Sequence, residues 1–160
     1  MGAKKSVELQ VGDKAPLFSL PGDGGADVEL GKLKGKAVVL YFYPKDDTSG
    51  CTAEAIDFSA NAKAFGDAGA TVVGVSKDSA ASHDKFKTKH KLKVSLAADE
   101  DTKVAEAYGV WVEKSMYGRR YMGMERATFL IDAKGVIRNI WRKVKVSGHA
   151  KEVLDAVRKL

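Results

Sequence analysis

Two uninterrupted runs of β-branched and aromatic residues, Ala37-Val38-Val39-Leu40-Tyr41-Phe42-Tyr43 and Ala70-Thr71-Val72-Val73-Gly74-Val75-Ser76, flank a single helical pattern. Runs without polar alternation belong inside a sheet covered on both faces. Between them, a loop beginning at Pro44 leads into a predicted helix reaching about Phe65. Ile56, Phe58, Ala62 and Phe65 lie on its inward side, Thr48 or Ser49 is its cap, and Gly66 and Gly69 stop it. Strand, helix, strand predicts parallel pairing with a right-handed crossover.

The flanking segments complete a sheet around this unit. Before it, Leu17-Phe18-Ser19-Leu20 and Val28-Glu29-Leu30, separated by Pro21, Gly22, Gly24 and Gly25, predict a small hairpin or irregular leader laid on the domain. After it, Asp78 or Ser79 caps a helix through Phe86 to Lys89, a short strand lies near Val94-Ser95-Leu96, and Asp99 to Thr102 opens a helix closed by Gly109. Residues Val110 to Glu125 are expected to form a loop. Ala127 to Asp132 and Val136 to Trp141 predict an antiparallel hairpin around Asp132-Ala133-Lys134-Gly135, and His149 to Leu160 an amphipathic helix. A βαβ half followed by a ββα half, with a central mixed sheet and helices on both sides, is an α/β thioredoxin-like plan.

A chain of 160 residues suffices for one domain with a sizeable core. Its apolar runs are strand-length, so no membrane span is expected. The N-terminal Met1 to Ser6 has basic residues without an apolar segment behind them, so a secretory signal is not expected and a cytoplasmic location is. The net charge of +6 is interleaved with acids, and its densest run (Lys85, Lys87, Lys89, His90, Lys91, Lys93) suits a solvated helix face better than nucleic acid. His83, His90 and His149 lack metal-ligand spacing and are expected on the surface, with no metal or cofactor. Gly22-x-Gly24-Gly25 lacks the context of a phosphate cradle and suits a turn.

The lone cysteine, Cys51, rules out an internal disulfide and fits a reducing compartment. A single cysteine is often a small buried hydrophobe. Here it falls in the first turn of a predicted helix, where free backbone N–H groups and the positive end of the helix dipole favour a thiolate.

The spacing Pro44, Thr48, Cys51 resembles the Pro-x-x-x-Thr-x-x-Cys signature of peroxiredoxins. The likeness extends along the chain through Val11 to Pro16, Tyr41 to Asp46, Gly74-Val75-Ser76 with Asp78-Ser79, Ala107 to Trp111, and Tyr121 to Arg126. It resembles in particular the bacterioferritin comigratory protein, or peroxiredoxin Q, subfamily, whose fold is thioredoxin-like. The resemblance implies that Cys51 attacks a peroxide, that Thr48 hydrogen-bonds sulfur and peroxide, and that Arg126 activates the thiol and binds the peroxide oxygens. It further implies that Pro44 shields the sulfur and that the Gly50 and Cys51 N–H groups complete the donor set. Glu54 also matches the subfamily and is given no catalytic role. Trp111, Tyr117 and Tyr121 either line a pocket near Arg126 or pack their loop, while Trp141 is expected to pack.

Two positions depart from the pattern. Ser49 stands where proline is usual, which leaves the loop less rigid. Ile56 and Lys87 stand where a resolving cysteine is often found, and neither is a usual engineered replacement, so natural absence is favoured. A sulfenic acid at Cys51 then needs an external thiol such as thioredoxin, glutaredoxin or glutathione. The expected activity is a one-cysteine, monomeric thiol peroxidase for hydrogen peroxide and organic hydroperoxides. The alternatives are a peroxide sensor working through Cys51 oxidation and, more remotely, a disulfide reductase, which would need a second cysteine where Glu54 stands.

Overall fold

The computed structural model describes residues 8–160; the N-terminal segment that bears on secretion lies outside them. The leader forms the expected hairpin, β1 (Ser19–Pro21) with β2 (Asp27–Glu29). The first apolar run is β3 (Ala37–Phe42), buried at every residue, followed by α1 (Ser49–Ala60), α2 (Ala62–Asp67) and the second run, β4 (Ala70–Ser76). Then come α3 (Ala80–His90), β5 (Ser95–Ala98) and α4 (Lys103–Ala107). The chain ends with β6 (Trp111–Met116), β7 (Arg119–Met124), β8 (Ala127–Ile131), β9 (Ile137–Trp141) and α5 (His149–Arg158).

The central sheet has the order β5-β4-β3-β8-β9. β3 runs parallel to β4 and antiparallel to β8, giving the mixed sheet expected from element order. Alternation along β3 divides the core in two. Val39 and Tyr41 pack with Phe58, Phe65, Phe86 and Val153 on one face, while Val38, Leu40 and Phe42 pack with Tyr108, Phe129 and Ile137 on the other. Phe58 is wholly buried and stacks on Tyr41 with centroids 4.7 Å apart; burying one such side chain contributes about 2–3 kcal/mol. Gly74 makes room for that stack, since a Cβ there would lie 2.6 Å from Cζ of Tyr41.

Several expectations need correcting. The predicted single helix breaks at Asn61, whose side chain donates to the Asp57 carbonyl and whose backbone leaves helical geometry. Ile56 is exposed rather than inward, because it projects from the far side of α1 from Phe58 and Ala55. The expected loop from Val110 to Glu125 is largely the β6–β7 hairpin, closed by Tyr117 and Gly118, both with positive φ as a type I′ turn requires. Tyr117 is 97% exposed at its tip, and with Tyr121 it lines a shallow cavity of the hairpin with Met116, Arg119 and Arg120 rather than a pocket at Arg126. Trp141 packs as expected, edge-on to His149.

The histidine expectation fails at two of three positions. His83 is completely buried and His149 nearly so, whereas His90 is partly exposed. Each buried ring has polar partners: Asp46 and the Ala97 carbonyl for His83, Thr128 for His149. Among the described residues, no group of three or more His, Cys, Asp or Glu is arranged to hold a metal, and no helix is long and apolar enough to cross a membrane.

Candidate active site

β3 ends beneath the N-terminus of α1, and the loop Pro44 to Thr48 connects them. Cys51 sits in the first turn of α1 with 2% of its surface exposed. The earliest N–H groups of a helix have no partner within it, so those of Gly50 and Cys51 are donors available beside the sulfur. Thr48 occupies the N-cap position, but its side chain makes no capping bond. Its hydroxyl instead donates to the Lys45 carbonyl at 2.9 Å, which leaves its oxygen lone pairs free to accept.

Arg126 enters from the junction of β7 and β8, 75 residues away in sequence. Its Nη2 donates to Cys51 Sγ at 3.4 Å and its Nη1 to Glu54 Oε1 at 2.6 Å. The antiparallel pairing of Phe42 with Ala127 brings the two segments together, so sheet register places the guanidinium over α1. Gly50 leaves space for it: a Cβ at that position would stand 3.2 Å from Nη2.

Glu54, one helical turn after Cys51, is 1% exposed and carries one unpaired oxygen, Oε2. Burial therefore outweighs the attraction of Arg126, and the carboxyl is pushed up to about 7. On Arg126, burial opposes the charge, but Glu54 and the cysteine outweigh it and hold the guanidinium above its ordinary value. Sequence reasoning assigns Glu54 no catalytic role. Its spacing from Cys51 on one helix face was the available signal, but the Arg126 contact depends on a distant strand.

A second group of polar side chains supports the loop from below. Asp46 accepts from Tyr43 at 2.6 Å and from Ser82 at 2.8 Å, and its backbone N–H donates to Asp78 at 2.8 Å. Asp47, at φ 59°, is bonded by Lys89 and His90 of α3. Lys114 of β6 donates to the Met124 carbonyl and is held below its ordinary value by burial, with Arg126 acting in the same direction. Trp111 lies under Lys77, and Tyr121 is half-exposed on the β6–β7 hairpin.

The arrangement can present a sulfur to a small electrophile while a fixed cation and helix N–H groups face the charge that leaves. Of the residues singled out in the sequence, Gly50, Cys51 and the distant Arg126 meet at the N-terminus of α1, while Thr48 is exposed at its N-cap and Pro44 is half-buried at the start of the connecting loop.

Comparison with known proteins agrees with this geometry. Residues 11–140 match the AhpC/TSA family. Peroxiredoxin Bcp of Bacillus subtilis is 48% identical over 95% of this chain and 97% of its own length. The solved bacterioferritin comigratory protein of Xanthomonas campestris, described for its alkyl peroxide reduction activity, superposes with a TM-score of 0.85 at 44% identity over 89% of this chain and 90% of that one. A cysteine-to-serine mutant of PrxQ from Xylella fastidiosa gives a TM-score of 0.90 at 38% identity, covering 96% and 98%. The fold, the cysteine and the similarity along nearly the full length agree, and the chain belongs to the AhpC/TSA family as a peroxiredoxin, a thiol peroxidase.

Proposed function

We propose that this peroxiredoxin reduces hydrogen peroxide and organic hydroperoxides through a sulfenic acid at Cys51, which an external thiol resolves. The contact that carries the reading is Arg126 Nη2 at 3.4 Å from the Cys51 sulfur, at the N-terminus of α1. The Cys51 thiolate attacks one peroxide oxygen; an S–O bond forms, the O–O bond breaks, and the other oxygen leaves as water or an alcohol after taking a proton. Sulfur loses two electrons and the peroxide gains them. Such a displacement needs the attacked oxygen in line with sulfur and donors facing the leaving oxygen.

Thr48, whose hydroxyl hydrogen goes to the Lys45 carbonyl, accepts from the bound peroxide, Arg126 and the Gly50 and Cys51 N–H groups hold its oxygens, and Pro44 limits water at the sulfur. Alkyl hydroperoxides are included because the similar Xanthomonas campestris protein is described for alkyl peroxide reduction. The chain has no second cysteine, so the sulfenic acid condenses with an external thiol, releasing water and forming a mixed disulfide that a further thiol reduces. Thioredoxin, glutaredoxin and glutathione all have the required chemistry. The same reading takes the chain as one domain acting as a monomer in the reducing cytoplasm, in keeping with its lone thiol.

Peroxide consumption by the purified protein with excess dithiothreitol tests this. Many turnovers per chain with both hydrogen peroxide and an alkyl hydroperoxide, abolished by Cys51→Ser, are expected. A single equivalent consumed despite continued thiol supply would make the protein a sensor, and consumption unchanged by Cys51→Ser would remove the assignment.

A further inference from the structure

The buried ring of His83 faces an acceptor at each nitrogen. Nδ1 lies 2.7 Å from Asp46 Oδ2, and Nε2 lies 2.9 Å from the carbonyl oxygen of Ala97. A neutral imidazole has one N–H and would set its lone pair against one of those partners. Both contacts are favourable only when the Asp46 and His83 pair carries one proton beyond carboxylate and neutral imidazole. Asp46 also receives the Tyr43 hydroxyl at 2.6 Å and the Ser82 hydroxyl at 2.8 Å, the saturation by donors expected of an ionised carboxylate.

What this pair holds is the loop under the reactive cysteine. Asp46 lies midway between Pro44 and Thr48. Its backbone N–H is fixed by Asp78, itself oriented by Ser76 at 2.6 Å. Asp47 is fastened to α3 as well, through Lys89 at 2.7 Å and His90 at 2.9 Å, but those contacts are exposed and screened. The anchor insulated from solvent is the one at His83, where both side chains are less than 5% exposed.

We propose that His83 is a positioning residue for the Cys51 reaction: as a buried imidazolium it latches Asp46, and with it the Pro44 to Thr48 loop, to α3, and alkaline loss of its proton loosens the loop and slows peroxide reduction. The catalytic half of this statement rests on the peroxidase reading above.

The titratable groups facing the ring are Asp46 from the loop, Tyr43 from the end of β3 and Asp78 from the turn before α3; α3 adds the Ser82 hydroxyl and β5 the Ala97 carbonyl. Burial disfavours the imidazolium, but the bond and charge of Asp46, helped by Ala97 and Asp78, outweigh it and hold His83 above its ordinary 6.5. For Asp46, burial is outweighed by His83, Tyr43 and Ser82, which keep it below the usual carboxylate value. Burial pushes Tyr43 well above its usual range, so it stays a donor. A group raised in the folded state stabilises that state fully below its unfolded value, and the contribution is lost as pH rises through the raised one. Deprotonation leaves one ring N–H for two acceptors, so the latch weakens on the alkaline side, with Tyr43 and Ser82 still bonded to Asp46.

Side-chain 15N NMR of the labelled full chain through an alkaline titration, with single-turnover stopped-flow oxidation by hydrogen peroxide, tests the latch. His83 is expected to show both ring nitrogens protonated at neutral pH and to titrate above 6.5, with the amides of Asp46, Asp47 and Thr48 moving at the same midpoint. The oxidation rate is expected to fall along that limb, and His83→Gln to oxidise several-fold more slowly at neutral pH and to lack the limb. A neutral ring with one N–H at neutral pH overturns the proposal, as does a rate profile unchanged in His83→Gln. If that variant does not fold, the wild-type ring and loop titration decides. A wild type that does not consume peroxide at any pH overturns the peroxidase reading, while ring and loop amides titrating together still establish the latch itself.

Discussion

Arg126 and Glu54 share a charged hydrogen bond of 2.6 Å, and that bond turns the other arm of the guanidinium toward Cys51. One fork thus touches the nucleophile and its own anchor, a geometry that lysine, with a point charge on a flexible stem, does not reproduce. Arg126→Lys is expected to slow peroxide reduction by ~100-fold, the cost of removing one preorganised donor to developing negative charge. Stopped-flow oxidation of Cys51 measures it. A rate within a few-fold of wild type would show that charge alone, without the fork, suffices.

Glu54 should leave a signature in stability as well as in rate. Its carboxyl is raised from 4.5 to about 7 in the folded protein, chiefly by burial. Between those values the folded chain keeps a proton that the unfolded chain has released, so stability falls as pH rises across that interval. The fall is on the order of 3 kcal/mol. In Glu54→Gln this loss is expected to disappear, while peroxide reduction slows less than in Arg126→Lys because the amide oxygen still accepts from Arg126. Urea unfolding at the two ends of the interval gives the difference; an unchanged slope in the variant would place the titration elsewhere.

The sheet was legible because β3 and β4 are continuous apolar runs, and a run of that kind fits few other environments. The nucleophile and arginine were legible through their matching motifs. The β6–β7 hairpin was not: Glu113, Ser115, Arg119 and Arg120 leave it largely exposed, without the alternation that marks a half-buried strand. His83 was hidden for a different reason. A histidine on a lysine-rich helix reads as solvated unless its partner is known, and Asp46 is 37 residues away in a loop that looks merely polar. Asp99 was expected near the start of a helix, but not that its carboxylate would bind the N–H groups of Val104 and Ala105. Polar pairings across sequence distance carry no periodicity, and they are what the sequence left unread.

Gly74 tests the packing beneath the site. A methyl group there would meet Tyr41 at 2.6 Å from Cζ, and Tyr41 is pinned between Phe58 and Tyr43 in a fully buried stack. Gly74→Ala is expected to destabilise the fold by about 1–3 kcal/mol through overpacking. Chemical denaturation should show a lower midpoint with the same slope. An unchanged midpoint would mean that the tyrosine ring moves aside at no cost.

The fate of oxidised Cys51 follows from what occupies the two positions where the resemblance would place a second thiol. Ile56 is exposed on α1, and Lys87 on α3 donates to Asp23 at 2.8 Å, so neither can supply a sulfur. With no internal partner, a sulfenic acid either meets an external thiol or is oxidised again to sulfinic acid, which thiols do not reduce. Excess hydrogen peroxide without thiol is therefore expected to add two oxygens to Cys51 and end activity, whereas glutathione present from the start should divert the same protein to a mixed disulfide that dithiothreitol returns to the active thiol. Intact-mass and peptide mass spectrometry distinguish these products. Full recovery by dithiothreitol after thiol-free treatment with excess peroxide would overturn the expectation, because it would require a protected reversible state, such as a disulfide between two chains through Cys51.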